Sequence, residues 1–271
     1  MIDLDAYFKR IGYDGPREPT LATLRQLHEL HPQAIPFENL DPLLRRPVRL
    51  DPNSLQEKLV TGGRGGYCFE HNSLFAAVLR ALGFTVQEAT ARVRWNMPAG
   101  AATPRVHCLL FVETEGERYL ADVGFGGNVL TAPLVLSARS EQETPHEHFR
   151  LVDEEPRVIQ EAKIDGQWMP LYAFDYADTH PSDFEMGNWF TSAHPKSIFV
   201  NGLMGARCER GVRYALRDNQ LAVHRLGRPS ERQELKSVFE MRDVLTDLFK
   251  IRLDGLDGLY AALGRLVARP A

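Results

Sequence analysis

This sequence predicts an α+β fold, on three observations. Apolar residues recur at helical spacing through about residue 84, the period then shortens to two, and after residue 197 short strands give way to two terminal helices.

Ile2, Tyr7, Phe8 and Ile11 fall at helical spacing ahead of Gly12. Thr20 is placed to cap a second segment, LATLRQLHEL, expected to fade at Pro32 because an interior proline removes a helical hydrogen bond. Asp51-Pro52-Asn53-Ser54 opens a third, SLQEKLV, which Gly62 and Gly63 stop. A fourth runs from about Cys68 to Leu82, with Leu74, Phe75, Val78, Leu79 and Leu82 on its apolar stripe and Gly83 as terminator. Together these segments make a small helical bundle.

From Phe84 the alternation of FTVQEATARVRW, RVHCLLFVE and ERYLADVGFG reads as strands, followed by HFRLVD, PRVIQEAKI and QWMPLYAF. An antiparallel meander or barrel follows. The stretch NMPAGAATPR, 96–105, is small and proline-containing, the composition of a mobile binding loop. Beyond NWFTSAHPKS come RYALR and LAVHRL around an Asp-Asn turn, then FEMRDVLTDLFKI and LDGLYAALGRLVA as helices.

The chain has 271 residues, 44% hydrophobic and 25% charged, the balance of a globular protein with a real core. No apolar run reaches signal-peptide or membrane-span length, so a cytoplasmic location is expected. The net charge of -4 argues against nucleic acid or a membrane surface as partner. The charge is uneven: from Asn201 onward 13 Lys and Arg stand against 9 Asp and Glu, while the first 200 residues carry 19 against 27. Three cysteines, an odd and sparse set, argue against a disulfide framework and for a reducing compartment.

The stretch RGGYCFEHN, 64–72, concentrates the chemistry. Cys68 follows two glycines and opens a helix, where unpaired N–H groups and the positive end of the helix dipole favour a thiolate. A nucleophilic cysteine needs a base and an orienting carboxylate. The hairpin offers both. If Glu113 faces Arg118, Leu109 faces Asp122 and His107 faces Gly124, so His107 and Asp122 project from one face as diagonal neighbours. A lone buried histidine is usually a packed core residue, and aspartate is depleted in strand interiors. Their coincidence with an activatable cysteine points to Cys68, His107 and Asp122 acting together. Cys68, His71, His107 and Cys108 are also zinc-ligand types, but 107 and 108 alternate across a strand and no CxxC pair is present, so no metal is expected. His71, three residues along the helix, points beside the thiol rather than across it. Cys108 and Cys208 read as packing residues. Arg64 and Glu38, in IPFENL, read as an ion pair holding the loop before Cys68, with a substrate-binding arginine as the alternative.

Taken together, RGGYCFEHN, the HCLL after Val106, ADVGFGG and IPFENL resemble the prokaryotic-type, acetyl-CoA-dependent arylamine N-acetyltransferases over nearly the whole chain, and NWFTSAHPKSIF is similar to a later family segment. The resemblance implies three domains: a helical bundle at 1–84 carrying the nucleophile, an antiparallel β-barrel at 85–194 carrying the histidine and aspartate, and an α/β lid at 195–271, with a thiol-protease-like triad. It implies acetyl transfer from acetyl-CoA, through an acetylated cysteine, to an arylamine, hydrazine or N-hydroxyarylamine. It places Phe125, Phe37 and Val93 in the substrate pocket, core packing being the alternative for each. It assigns Gly124, Gly126 and Gly127, and Thr103 in the 96–105 loop, to CoA; a tight turn after a strand is the alternative for the glycines. No phosphate-binding loop or dinucleotide fingerprint is present, so the CoA site must be built from scattered groups. Rival functions on the same residues are a thiol hydrolase, an amide synthase, or a non-catalytic metal-binding or redox-sensing thiol module.

Overall fold

The protein is described here by a computed structural model covering residues 2–98 and 100–268; Met1, Ala99 within the 96–105 loop, and residues 269–271 lie outside the described residues.

The expected helices form. Helix α1 (Leu4–Ile11) begins where the Asp3 side chain accepts from Ala6 N and ends at Gly12, whose φ of 72° lies in the left-handed region. Helix α2 (Leu21–Ala34) is capped by Thr20. It does not fade at Pro32 but runs through it, closing when Ile35 N donates to His31 O. Pro32 sits in the last turn, so the one helical hydrogen bond it removes lies at the helix end, and Leu24, Leu27 and Ile35 bury fully on either side of it. Strand β1 (Phe37–Glu38) and the short α3 (Leu40–Leu43) follow, then α4 (Pro52–Leu55), which widens into one π-helical turn (Gln56–Thr61) before the glycines. Helix α5 (Cys68–Ala81) carries the cysteine at its first position. Tyr7, Leu24, Phe75, Val78 and Leu79 make the core of this bundle, each worth roughly 2 kcal/mol of burial.

Strands β2 (Thr85–Val93), β3 (Arg105–Thr114), β4 (Glu117–Ala121), β5 (Leu134–Val135), β6 (Gln142–Glu143), β7 (His148–Glu154), β8 (Arg157–Ile164) and β9 (Gln167–Phe174) form one antiparallel sheet ordered β5-β4-β3-β2-β9-β8-β7-β6. Two meanders thus join where β2 pairs with β9. The edges β5 and β6 are bridged by the Gln142 side chain, which accepts from Val135 N at 2.8 Å and donates to Val135 O at 3.1 Å, so the sheet is a nearly closed barrel. Strand β3 is buried on both faces. Leu109 and Phe111 point into the barrel core while Leu110 and Val112 pack on the helices.

Helix α6 (Pro181–Ala193) and the short α7 (Ile198–Asn201) lead to β10 (Met204–Glu209), β11 (Val212–Arg217), β12 (Gln220–Arg225) and β13 (Glu231–Glu234), then α8 (Val238–Asp243) and α9 (Leu259–Val267). The second sheet, ordered β1-β10-β11-β12-β13, takes its edge from the N-terminal segment: Phe37 pairs with Ala206 and Glu38 with Gly205. Asn39 fixes that crossing, donating to Phe199 O and Gly202 O and accepting from Met204 N, all at 2.7 Å. Among the described residues, no helix is long and apolar enough to cross a membrane.

Candidate active site

Cys68 lies at the first turn of α5, almost fully buried. The glycines before it are required by close approach. A Cβ on Gly65 would lie 1.9 Å from Pro36 O, and one on Gly124 would lie 2.8 Å from Cys68 Cα. These contacts press 64–66 against 36–38 and let the chain after β4 run directly over the cysteine. Phe37 and Gly66 form a parallel bridge, with Glu38 N donating to Gly66 O at 2.8 Å.

The hairpin register is as the sequence suggests, with Glu113 opposite Arg118, but the ladder stops at Leu110 opposite Ala121. Leu109 therefore does not pair with Asp122, nor His107 with Gly124. The cause is Asn72, one turn beyond Cys68. Its Nδ2 donates to Cys108 O at 2.8 Å and its Oδ1 accepts from Val123 N at 3.1 Å, replacing the ladder between the two strands. His28 Nε2 accepts from Asp122 N at 3.1 Å. So freed from the sheet, the Asp122 carboxylate takes His107 Nε2 on Oδ2 at 2.7 Å, and Asn72 Nδ2 and Gly124 N on Oδ1, both at 2.9 Å. On the other side the β2–β3 register slips at Val106, and the displaced Val106 carbonyl receives the Cys68 thiol at 3.6 Å.

The electrostatics follow from this arrangement. Burial alone would push the Cys68 thiol up, but hydrogen bonds from Cys108 and His107 and the His107 charge outweigh it and bring the thiol to about 6. Burial would likewise lower His107; the Asp122 charge and hydrogen bond, with Cys68 behind them, raise it to about 10. Asp122, which burial would raise, is held below the usual carboxylate range by His107 and Asn72. Between pH 6 and 10 the site therefore favours thiolate, imidazolium and carboxylate in one buried line. A buried thiolate is a competent nucleophile.

A family profile described as N-acetyltransferase matches residues 20–257. The arylamine N-acetyltransferase of Mycolicibacterium smegmatis is 43% identical over 261 residues, covering 95% of this chain and 94% of that one. The chain belongs to the arylamine N-acetyltransferase family. A Salmonella typhimurium member named as both arylamine N-acetyltransferase and N-hydroxyarylamine O-acetyltransferase is 45% identical over 204 residues, covering 75% of this chain and 72% of its own. The Mycobacterium marinum enzyme solved in complex with CoA superimposes with a TM-score of 0.94 at 40% identity, over 97% of this chain and 99% of that one.

The other residues singled out in the sequence fall around Cys68 and His107 unevenly. Phe125 meets His107 edge-on at 5.1 Å between centroids, and Tyr172 covers both rings at 4.7 and 5.2 Å. Phe37 is half-buried against the cluster of Tyr67, Cys68, Phe69 and Cys108, and Gly126 lies against its ring. A Cβ on Gly127 would meet only the Ala215 methyl, at 4.0 Å. Arg213, reaching over from β11, donates to Val129 O at 2.9 Å and pairs with Glu147, which ties the 126–129 turn to the second sheet. Val93 and Thr103 are brought together, the Thr103 hydroxyl donating to Val93 O at 2.9 Å. A cavity of about 650 Å³ lined by Arg242, Lys250, Arg252 and Tyr260 involves none of these residues.

Arg64 and Glu38 pair at 2.6 Å as the sequence suggests, inside a larger cluster. Lys58 bridges Asp41 and Glu70 at 2.6 Å each, and Glu70 accepts from Tyr67 N at 3.1 Å, holding the start of α5. Cys108, read as a packing residue, is fully buried and also hydrogen-bonds Cys68, whose charge adds to burial in pushing it well up. It points to the helix side and His107 to the barrel side, yet both meet the thiol because Cys68 sits at the bulge. Among the described residues, no three His, Cys, Asp or Glu side chains are grouped to hold a metal ion. Sequence reasoning passed over Asn72, His28 and Tyr172. Asn72 had a legible signal, since i+4 from Cys68 puts it on the same helix face.

Proposed function

We propose that this chain transfers an acetyl group from acetyl-CoA to the nitrogen of arylamines, arylhydrazines or N-hydroxyarylamines by a ping-pong route through acetyl-Cys68. The observation that carries this is the buried line from Cys68 through His107 to Asp122, with the thiol lowered to about 6 and the imidazole raised to about 10. Family membership supplies the substrate class, and the CoA complex of the M. marinum relative supports the donor.

Cys68 attacks the thioester carbonyl as a thiolate; no base need first remove its proton. The developing oxyanion lies at the N-terminus of α5, where first-turn N–H groups lack helical partners, the Cys68 amide among them. His107 gives its Nδ1 proton to the departing CoA sulfur while Asp122 holds Nε2, and the acetyl group stays on Cys68. The amine then attacks, His107 takes the proton that nitrogen loses, and the thiolate is restored. The rings of Phe125 and Tyr172 on His107, and of Phe37 against the Cys68 cluster, disfavour water, which would hydrolyse the intermediate.

In this reading Phe125 and Phe37 line the acceptor side. Gly126 and Gly127 admit CoA along the turn that Arg213 holds, and the Gly124 backbone packs on the cysteine. Val93, paired with Tyr172, and Thr103, bonded to Val93, extend the same side toward the 96–105 loop. Three units follow the layout of bundle (1–84), barrel (85–194) and α/β lid (195–271), a division supported by three apolar cores centred on the helices, the barrel and the C-terminal region, with β3 and β4 side chains sharing the first and Leu40 and Leu43 the last. A cytoplasmic site of action fits the three free thiols.

Steady-state rates with varied acetyl-CoA and arylamine test the reading. Parallel double-reciprocal lines, with product formation dependent on amine, are expected; acetate release that ignores the amine would favour the hydrolase instead.

A further inference from the structure

Beside the reacting groups, three buried side chains that the chemistry does not use form one directed hydrogen-bond chain. The Tyr7 hydroxyl lies 2.8 Å from His31 Nδ1, His31 Nε2 lies 2.9 Å from His71 Nδ1, and His71 Nε2 lies 3.1 Å from Pro36 O. None is more than 1% exposed. A carbonyl oxygen only accepts, so His71 Nε2 carries the proton and its Nδ1 is the acceptor of a neutral imidazole. That acceptor takes the proton of His31 Nε2, which leaves His31 Nδ1 to accept from the phenol. Every link then has one donor and one acceptor, and the direction is fixed from its far end. Burial keeps the rings neutral: it lowers His71 to about 4 and holds His31 well below, and Tyr7 well above, their ordinary values.

The chain ends next to the thiol pocket. Pro36 O also accepts from Gly66 N at 3.3 Å, in the loop before Cys68. The next residue is Phe37, whose ring lies parallel to His71 within 6° at 6.3 Å between centroids. Two restraints from one imidazole, a hydrogen bond to the preceding carbonyl and a ring face, therefore fix the half-buried aromatic wall against the Cys68 cluster. A packing role alone would need only an apolar ring at 71. It would not need two histidines and a tyrosine with unique tautomers in a core where each unpaired polar group is costly.

We propose that His71, backed by His31 and Tyr7, is a positioning residue that fixes Phe37 as a wall of the acceptor pocket and so sets the fit of the aromatic amine, not the rate at which the thiol is acetylated. This rests on the acetyl-transfer reading above.

The two half-reactions separate the roles in the full chain: CoA release from acetyl-CoA without acceptor, and discharge of the acetylated protein by aniline. His71→Leu is expected to raise the KM for aniline about fivefold, the scale of one lost buried hydrogen bond, with CoA release within about twofold of wild type. His71→Gln, whose amide keeps one donor and one acceptor, should restore most of the loss. Tyr7→Phe, at the far end, should move KM the same way by less, and it decides the matter if the leucine variant does not fold. Nitrogen-15 spectra of labelled histidines should show His31 and His71 as neutral Nε2–H tautomers at pH 7. An unchanged KM in folded His71→Leu, equal losses in both half-reactions, or the opposite tautomers would overturn the proposal. Wild-type protein that releases no CoA would instead overturn the acetyl-transfer reading beneath it.

Discussion

On one side of the first turn of α5, Lys58 and Arg64 share three carboxylates, from Glu38, Asp41 and Glu70, at distances of 2.6 to 3.5 Å. On the other side Asp122, His107 and Cys68 form a more deeply buried line. The difference lies in what each leaves over. Both cations of the first cluster bridge two carboxylates, and Glu70 also takes the Tyr67 amide, so the arrangement resists change. In the second, the carboxylate is satisfied by three donors while the sulfur's carbonyl partner is Val106 O at 3.6 Å, a contact easily exchanged for a substrate carbon. The two charge clusters thus differ: one closes on itself and fixes the loop, and the other leaves a sulfur that, in the proposed chemistry, is available to a substrate.

That contrast can be broken from either side. Cys68→Ala should abolish transfer with no loss of fold, since the sulfur contributes little to packing; measurable turnover in that variant would remove the covalent route. Asp122→Asn should lower kcat by about 10³ to 10⁴. The amide still accepts but cannot hold His107 as a cation, and its NH₂ faces donors from His107, Asn72 or Gly124. Full activity there would mean His107 draws its charge from elsewhere. Lys58→Met should act oppositely, costing about 2 to 3 kcal/mol in denaturant unfolding because Asp41 and Glu70 lose their shared cation, while folded protein keeps its rate of CoA release. Burial already pushes Glu70 up to about 7, with Lys58 pulling it down, so the variant leaves Glu70 protonated at neutral pH. The smallest change is in pH dependence. A thiol lowered to about 6 ionises as pH rises, so alkylation of Cys68 by iodoacetamide should climb through pH 6 and then level, and in Asp122→Asn the climb should move upward.

The same contrast explains what the sequence made legible. The grouping of Cys68, His107 and Asp122 could be read because each position broke a local rule: a cysteine at a helix start after two glycines, and a histidine and aspartate on one hairpin face. The ion pair of Arg64 and Glu38 could be read from two charges in otherwise apolar loops. What stayed hidden depends on contacts between distant segments. Asn72 looks like an ordinary helix residue until the strand end after Ala121 folds against it, and His28 lies 94 positions from the aspartate amide it accepts from. Strand β1 is two residues long, too short for any period, and takes its form from the pairing with β10 and the bridge to Gly66. Helix α6, with Met186 and Trp189 exposed and only a few positions buried, lacks the apolar stripe that marks α5. The bond from the Thr103 hydroxyl to Val93 O, across ten positions, was likewise not legible in the 96–105 loop.

The central claim, that Cys68 carries the acetyl group, is tested most directly by intact mass spectrometry of the protein after mixing with acetyl-CoA and no acceptor, beside Cys68→Ala. One added acetyl group on the wild type alone, lost on adding an arylamine, is the predicted result. No adduct and no CoA release, or an adduct that persists in Cys68→Ala, would contradict it.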